Sequence, residues 1–592
     1  MKKLLALLTG AMLLMSALSP ASARRSSAPD GGRPVDYVKL KGLSQPKYET
    51  VREVFEVPME DGINLYVEVE RPKAEGRFPV ILELSPYHGT VADRLGTRIL
   101  PGPVVDGKHV GLSGYFAPRG YAVVFVDLRG TGRSEGCLDH LGPADASDSY
   151  EIVEWAAKQK WSNGRVGMTG HSYVGSTPQL AMAQKPPHLV TIVPSAGLAR
   201  MYDHKFQNGV PYNLQWAGPL FAYEALAIDR YLPPGTSDPV TDGNTGDNFG
   251  NDPQYIGCGA PQSTAVTGDA YMRGQETQWD RDRDFAKGAT KSDVPVFLVH
   301  GVNDNAARIA AADWFNKRRK PQDKAWIGQW DHGVGRYPNS RTCPAASQAP
   351  CENDQWTEAL HAWFDKWLQE RDVDTGPPVE VFLNNGKIYT APVWPPTPDK
   401  KIRFYPAADG SLGSSSGAAG TVQYIAGPQD TGNYAATFDS KPFKEDTLIV
   451  GLPKLHLVET QTSPFLHINA TLYDVDGDTA DAIGKANWAI QPELREGIGN
   501  PQPAVPGLPM SMDLTSMAQA HVLEKGHVLR FVVSSYNSDK VPTFGAGGAV
   551  LVHVGGDDPT YFDLPIVENP RYYDEVCYGA DPPLRSVTCI SP

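Results

Sequence analysis

The sequence predicts a two-part protein: an α/β fold built on a doubly wound sheet, followed by an antiparallel β-sandwich. Up to about residue 373, apolar runs that end in turn residues alternate with helix-like segments, which is typical of parallel strands buried on both faces. A stretch rich in Asn, Asp, Gly and aromatic residues interrupts this alternation at 200–290. Beyond the last helix-like segment, only short strand-like segments separated by Gly, Pro and Asn remain, which favours a sandwich.

The periodicity of each segment predicts the individual elements. Alternation around Asp61-Gly62 predicts a hairpin. The predicted strands that follow are FPVILELSPY, YAVVFVDLRG, GRVGMTG, LVTIVPSAG, VPVFLVHGVND and KAWIGQW. The predicted helices are ASDSYEIVEWAAKQ, STPQLAMAQ, AARIAAADWFNKR and WTEALHAWFDKWLQ. The strands assigned to the sandwich are PVEVFLN, KIRFYPA, LHLVE, LHINATLYDV, HVLRFVVSS and AVLVHVG.

These patterns also predict the domain boundaries. Because long insertions between sheet strands usually cover an active site, the interruption is interpreted as a helical cap. The predicted segments are a signal peptide at 1–23, a leader at 24–48, the two halves of the α/β domain at 49–199 and 291–373, the cap at 200–290, the sandwich at 374–568 and a disulfide-stapled tail at 569–592.

The N-terminus predicts export. Lys2 and Lys3 precede an apolar run from Leu4 to Leu18, and Ala21-Ser22-Ala23 supplies a small-x-small cleavage pattern, as in bacterial secretory signal peptides. The alternative, a membrane anchor, is disfavoured because the run is short for a bilayer span. The formal net charge of −14 disfavours nucleic acid and anionic membranes as partners. A homodimer is compatible with the sequence.

Six cysteines in a chain predicted to be exported suggest disulfides, although six allow 15 pairings. Proximity in the sequence favours Cys343–Cys351 and Cys577–Cys589, which leaves Cys137–Cys258. The chain contains no C-x-x-C, so we expect no zinc site and no metal.

The stretch GMTGHSYVGST (167–177) contains a serine at a predicted strand-to-helix turn. The generic nucleophile turn reads G-x-S-x-G. Gly170 matches it, but the second glycine is Gly175, one position late, with Val174 in its place. Ser172 is therefore either a catalytic serine on a modified turn or an ordinary serine in a glycine-containing loop.

A catalytic serine needs a general base and an acid that orients the base. In α/β-hydrolases the chain order is Ser, then Asp or Glu, then His, each at the end of a strand. Asp304 follows one predicted strand and His332 follows the next, so we interpret Ser172, Asp304 and His332 as nucleophile, acid and base. Four alternatives fit less well. His300 and His361 are more consistent with packing roles. His171 is expected to point elsewhere on the elbow, and Asp331 directly precedes His332 and cannot easily reach the far nitrogen of its ring.

An acyl-transfer site also needs donors for the developing oxyanion. The backbone N–H of Tyr173, directly after the serine, is one candidate. The loop LSPYHGT lacks a Gly-Gly run but offers the Tyr87 hydroxyl as the second. The alternative for Tyr87 is an aromatic side chain at the rim of the site.

Five motifs together resemble the X-prolyl dipeptidyl-peptidase and cocaine-esterase family of serine hydrolases. They are SPY (85–87), DLRGTGRSEG (127–136), GHSYVG (170–175), HGVND (300–304) and WDHG (330–333). In that family the serine motif is G-x-S-Y-x-G, so the late glycine is the family's own form. The resemblance implies an α/β-hydrolase fold, a C-terminal jelly roll, the catalytic roles given above, an oxyanion hole of Tyr87 and Tyr173, and no cofactor.

The family divides by substrate. Its α-amino-acid ester hydrolases carry further acids where this chain has Ala306 and Ala307, which disfavours that branch, whereas the segment 196–209 looks more like the dipeptidyl-peptidases. We therefore expect cleavage of N-terminal Xaa-Pro dipeptides from peptides, with Asp203 and Glu224 as candidates for binding the substrate ammonium or, equally, as solvated acids. The alternatives are a carboxylesterase or acylase acting on small esters or amides without a free amine, and a surface-binding protein with an inactive site.

Overall fold

The computed structural model describes residues 31–88, 104–105, 108–109, 111–213, 273–332, 354–484, 488–540 and 547–574. The predicted signal peptide, most of the predicted cap, Glu224 and every cysteine except Cys137 lie outside the described residues. Cys137 is disulfide-bonded. Its pairing with Cys258, and the other two predicted pairings, stay predictions.

The first part of the chain alternates strands and helices as predicted. Its strands are β1 (Thr50–Pro58), β2 (Asn64–Pro72), β3 (Phe78–Ser85), β4 (Val104–Val105), β5 (Lys108–His109), β6 (Ala122–Asp127), β7 (Ser162–His171), β8 (Leu189–Ser195), β9 (Phe206–Gln207), β10 (Val210–Pro211), β11 (Phe297–Gly301) and β12 (Lys324–Gly328). Its helices are α1 (Gly111–Phe116), α2 (Pro143–Ala157), α3 (Tyr173–Gln184), α4 (Met201–Lys205), α5 (Gln278–Asp282), α6 (Ala286–Lys291), α7 (Asp313–Asn316) and α8 (Asp354–Trp367).

The remaining strands follow helix α8. They are β13 (Val379–Phe382), β14 (Lys387–Ala391), β15 (Lys400–Pro406), β16 (Ser411–Gly413), β17 (Gly420–Ile425), β18 (Ala435–Ser440), β19 (Thr447–Gly451), β20 (Lys454–Gln461), β21 (Ile468–Asp476), β22 (Thr479–Ala482), β23 (Trp488–Ile490), β24 (Pro509–Thr515), β25 (Gln519–Leu523), β26 (Val528–Ser534), β27 (Ala549–Val554), β28 (Tyr561–Val567) and β29 (Tyr572–Asp574). Short 3₁₀ turns lie at Tyr37–Lys39, Ala117–Arg119, Ile309–Ala312, Gly432–Tyr434 and Pro492–Leu494.

The main sheet has the strand order β1-β2-β6-β3-β7-β8-β11-β12-β13-β14-β29. The strands from β6 to β13 are parallel, whereas the strands at both edges pair antiparallel. One apolar cluster on this sheet includes side chains of α2 and α3, and another includes side chains of α1 and α8. Helices thus cover both faces, which confirms the doubly wound α/β fold.

The C-terminal β-rich domain consists of two mostly antiparallel sheets. Strand β15 joins them, because it pairs with β28 of one sheet and with β16 of the other. The apolar side chains between them form a core of their own, with Leu457, Phe531 and Phe562 completely buried. This agrees with the predicted sandwich.

Two predictions about elements were wrong. The segment PVEVFLN forms β13, which pairs in parallel with β12 in the main sheet and not in the sandwich. Burial periodicity shows that a strand has covered faces, but it does not identify the neighbouring strand. The segment 306–318 is not one helix, because Ala306 N–H donates to the Asp304 carboxylate at 2.8 Å and so begins a turn. Only the 3₁₀ turn Ile309–Ala312 and the short α7 follow.

Among the residues that the structure describes, no helix combines the length and the apolar character needed to cross a bilayer.

The sandwich core contains an unusual carboxyl group. The Glu459 side chain lies on the same face of β20 as Leu455 and Leu457 and is completely buried. Neither of its carboxyl oxygens has a hydrogen-bond partner among the described residues. Burial raises the pKa of Glu459 to about 8, because the charged form loses its hydration without gaining a compensating partner.

This carboxyl should make stability depend on pH. The folded pKa lies above the reference value of 4.5, so the folded chain binds the extra proton between these values and stability falls as pH rises from about 4.5 to about 8. Glu459→Gln removes this loss. We expect the free energy of unfolding of the variant relative to wild type to rise by at most about 1.4 kcal/mol per pH unit up to about pH 8 and then level off.

Denaturant unfolding measured from about pH 5 to about pH 9 tests this expectation. Glu496→Gln, which changes an exposed glutamate of the same domain, is the matched control and should give a flat difference. A flat difference for Glu459→Gln as well would show that the carboxyl is already ionised in the fold.

Candidate active site

Ser172 lies at a sharp turn between β7 and α3. Its backbone adopts the left-handed region, with φ 63°, which is unusual for a residue with a Cβ. Its N–H donates to the Ser195 carbonyl at the end of β8 at 2.9 Å. The turn therefore places the serine side chain at the carboxyl edge of the parallel sheet, as a nucleophile elbow does.

The two glycines of the motif are required by packing. A Cβ on Gly170 would lie 2.3 Å from Cγ1 of Val174, and the residue has φ 153°. A Cβ on Gly175 would lie 2.3 Å from the Ser195 carbonyl oxygen. The late glycine thus lets the first turn of α3 approach the end of β8.

The three residues singled out from the sequence meet at this edge. The Ser172 Oγ lies 2.9 Å from His332 Nε2, and His332 Nδ1 lies 3.0 Å from Asp304 Oδ2. Asp304 follows β11 and His332 follows β12, and these two strands are paired in parallel. A serine, an imidazole and a carboxylate are therefore connected by hydrogen bonds in the order that nucleophilic catalysis needs.

The carboxylate of the Ser172–His332–Asp304 series is held in its ionised form. Asp304 is 2% exposed, and burial by itself would raise its pKa. The interaction with His332, the nearby His300 and the Ala306 N–H outweigh burial, so the pKa of Asp304 is lowered. An ionised carboxylate can hold the Nδ1 proton of His332 and leave Nε2 as the acceptor facing Ser172.

Of the two predicted oxyanion donors, Tyr173 belongs to the elbow itself and Tyr87 lies just after the carboxyl end of β3. Tyr173 is the first residue of α3, and the N–H groups of a helix's first turn point outward from its N-terminus. Tyr87 comes two residues after β3, and its N–H donates to the Ser85 hydroxyl at 3.1 Å. Both tyrosine side chains belong to the same apolar cluster. Their role in binding an oxyanion stays a prediction.

Of the two candidate ammonium-binding acids, only Asp203 lies within the described residues. It is on α4, where Arg200 donates to it at 3.2 Å. The same guanidinium lies 2.5 Å from Glu276 and 3.3 Å from Asp284, and Arg281 lies 3.9 Å from Glu276. Burial, opposed by Arg200, raises the pKa of Asp203 to about 6.

Sequence reasoning missed two histidines next to His332. The His171 ring, judged from the sequence to point elsewhere, lies 4.8 Å from the His332 ring between centroids. Its Nδ1 lies 3.1 Å from the Ser195 hydroxyl. His204 also lies near this centre, and burial together with Arg308 and His332 lowers its pKa to about 3. The position of His171 directly before the serine was the only available signal, and His204 had none.

The β-rich domain contributes a further group to the region around the site. Lys540 Nζ lies 3.4 Å from the centroid of the Tyr212 ring, and the Arg308 guanidinium lies 3.4 Å from the same centroid. Lys540 also donates to Gln207 at 2.8 Å. Burial, together with the neighbouring Arg308, lowers the pKa of Lys540. No sequence motif links residues so far apart along the chain.

Within the described residues, no group of three or more His, Cys, Asp or Glu side chains is arranged to hold a metal ion.

The geometry predicts a reactive Ser172. A fluorophosphonate probe should label it, and Ser172→Ala should abolish labelling. Asp304→Asn removes the ionised partner of His332, so we expect the labelling rate to fall roughly 10²-fold or more. Asp331→Asn changes the aspartate directly beside His332 in the sequence and should leave the rate within about threefold of wild type. Equal rates for wild type and Asp304→Asn, measured by mass spectrometry over time, would contradict the proposed activation.

Comparisons with known proteins identify relatives of both parts of the chain. Residues 61–334 match the family model of X-Pro dipeptidyl-peptidase (S15 family), and residues 371–557 match that of the X-Pro dipeptidyl-peptidase C-terminal non-catalytic domain. A Streptomyces avermitilis protein named as a Xaa-Pro dipeptidyl-peptidase is 27% identical, over 80% of this chain and 77% of its own length. The Rhodococcus cocaine esterase is 23% identical, over 86% of this chain and 98% of its own length.

Solved structures show the same fold at low identity. An aminopeptidase from a marine sediment archaeon superposes with a TM-score of 0.68 at 18% identity, covering 93% of this chain and 99% of its own. A CocE/NonD family hydrolase from Staphylococcus aureus gives a TM-score of 0.66 at 20% identity, covering 88% of this chain and 94% of its own. The chain belongs to the S15 family of X-Pro dipeptidyl-peptidases, which includes cocaine-esterase relatives, and is a serine hydrolase.

Proposed function

We propose that the enzyme removes Xaa-Pro dipeptides from the free N-terminus of peptides. The observation that carries the proposal is the hydrogen-bonded series Ser172–His332–Asp304, found in a chain that matches family models named for this peptidase in both of its parts.

The proposed reaction proceeds through an acyl-enzyme. The Ser172 oxygen attacks the carbonyl carbon of the proline residue while its proton passes to His332 Nε2. The oxyanion accepts hydrogen bonds from the Tyr173 N–H and the Tyr87 hydroxyl. His332 then returns the proton to the departing amine, and the C–N bond breaks. Water attacks the ester with His332 again as base, which releases the dipeptide and restores Ser172.

The α-ammonium of the substrate requires a negative region near the site. Asp203, Glu276 and Asp284 carry three carboxyl groups around the single guanidinium of Arg200. Arg281 also lies 3.9 Å from Glu276, and Lys317 acts on Asp203. The proposal therefore depends on Asp203 itself, whose side chain is 27% exposed and so accessible to an incoming cation. We propose Asp203 as the residue that contacts the ammonium, and Glu224 as a second candidate.

An esterase is the second candidate function. The match to the cocaine esterase extends over nearly the whole of that protein, and the same serine, imidazole and oxyanion donors would cleave an ester without any group for an amine. The two functions differ in whether a free N-terminus is needed.

Substrate comparison separates them. We expect turnover of Xaa-Pro-nitroanilides with a free amine, loss of that turnover in Ser172→Ala, and at least a roughly 10²-fold lower kcat/KM when the amine is acetylated, since the acetyl amide has no positive charge for the acidic group to bind. Asp203→Asn should raise KM for the free-amine substrate roughly 10-fold. Asp282→Asn, an exposed aspartate on α5, is the control. Equal rates for free and acetylated substrates would favour the esterase.

We further propose that the enzyme is exported, on the strength of the basic start, apolar run and small-x-small pattern within residues 1–23. Full-length chain expressed in a bacterium should be recovered outside the cytoplasm, shortened by about the length of the predicted signal. Deletion of residues 2–23 should retain it in the cytoplasm. Recovery of the uncleaved full-length chain in the membrane fraction would instead indicate an anchor.

A further inference from the structure

A buried carboxyl group outside the Ser172–His332–Asp304 series holds the residue that follows the nucleophile. The Tyr173 hydroxyl donates to Asp145 Oδ2 at 2.7 Å. The Leu141 N–H donates to the same two atoms, at 2.8 Å to Asp145 Oδ2 and 2.9 Å to the Tyr173 hydroxyl. Tyr173 is 3% exposed and Asp145 is completely buried, so water does not compete for these hydrogen bonds.

The simplest alternative for Asp145 is a local role in its own helix. It is the third residue of α2, where a carboxylate stabilises the helix by facing the first-turn N–H groups. The partners observed here are different. One is the hydroxyl of Tyr173 on α3, and the other is the N–H of Leu141 in the loop before α2. The carboxyl group is therefore directed at the elbow.

The loop that completes this contact is itself fixed. His140 and Leu141 have φ 50° and 58°, a left-handed conformation that persists only when surrounding contacts impose it. Arg283 supplies such contacts, since it donates to the Asp139 carboxylate at 2.6 Å, to the Asp139 carbonyl at 2.7 Å and to the His140 carbonyl at 3.3 Å. The tyrosine hydroxyl thus binds to a rigid anchor.

This anchor bears on the backbone of the elbow. Ser172 is held at a positive φ, a strained conformation that persists only when surrounding contacts impose it. Fixing the far end of the Tyr173 side chain restricts its rotamer and the orientation of the peptide group between Ser172 and Tyr173. That peptide supplies the N–H assigned above to the oxyanion, where a displacement of about 1 Å can cost up to 10²-fold in rate.

We infer that Asp145 is a positioning residue for catalysis, which acts through the Tyr173 hydroxyl to hold the Tyr173 N–H in place for the oxyanion. The inference rests on the proposed acyl-enzyme reaction but not on the identity of the substrate, because peptides and esters form the same oxyanion. It assigns the Tyr173 side chain a role separate from that of its backbone.

The protonation state of Asp145 depends on the charged groups around it. Burial raises the pKa of Asp145 to about 7, the neighbouring Asp139 and Asp148 raise it, and the hydrogen bonds from Tyr173 and Leu141 lower it. Arg283 also faces this group. Asp145→Asn keeps an oxygen acceptor but loses the charge, and Tyr173→Phe removes the donor. The two substitutions therefore weaken the same hydrogen bond from its two ends.

The test uses Tyr173→Phe, Asp145→Asn and the double variant of the full-length enzyme. We expect each single variant to lower kcat about 10-fold with KM changed less than about twofold, since only the transition state uses the oxyanion donor. The double variant should be no slower than the slower single variant, because both changes break one contact. The matched control is Tyr121→Phe, which removes a buried tyrosine hydroxyl that donates to Asp365 at 2.6 Å away from the elbow. It should lower stability without changing kcat.

Rates are normalised to folded enzyme by active-site titration and measured on both an Xaa-Pro-nitroanilide and p-nitrophenyl acetate. If kcat of Tyr173→Phe stays within twofold of wild type, or if the effects of the two substitutions multiply, the inference is overturned. If Asp145→Asn does not fold, the isosteric Tyr173→Phe decides alone. A wild type that hydrolyses the ester but not the peptide substrate would overturn the proposed peptidase function and leave this test intact.

Discussion

The close approach of α3 to the end of β8 is the constraint on which the candidate site depends. A side chain at Gly175 would collide with the Ser195 carbonyl, and that carbonyl accepts the N–H of Ser172. The elbow is therefore shaped by the neighbouring strand and not only by its own sequence. Because β11 lies next to β8 in the sheet, and β12 next to β11, the loops that carry Asp304 and His332 reach the same edge without long excursions.

Around that edge, buried polar groups are used in two different ways. The Asp304 carboxylate is ionised by its partners and orients an imidazole. Asp145 lies deeper and fixes a tyrosine hydroxyl. Both are aspartates near helix or strand termini, yet their surroundings assign them to different tasks. Burial determines how strongly each neighbour acts, because hydrogen bonds and charges that are shielded from water are screened less.

The sequence was sufficient for features that depend on local pattern. Apolar runs identified the parallel strands, and glycines at defined offsets from Ser172 identified the turn. It was insufficient where distant segments meet. The hydrogen bond between Tyr173 and Asp145, and the stacking of Lys540 on Tyr212, join residues whose own segments show no unusual periodicity. The strand β13 was assigned to the wrong sheet for the same reason, since a pattern of buried faces does not specify a neighbour. At 306–318 local propensity favoured a helix, but the Asp304 carboxylate accepts the Ala306 N–H and begins a turn instead.

The last described strand has a consequence for the integrity of the whole chain. After the β-rich domain is complete, β29 returns to the first sheet and pairs with β14 at its border. An unpaired strand at that border would present a row of backbone donors and acceptors to other molecules, which invites association between copies of the chain. A chain that ends before residue 572 would keep Ser172, Asp304 and His332 but would lose the strand that pairs with β14. We therefore expect the loss of β29 to lower solubility and not turnover.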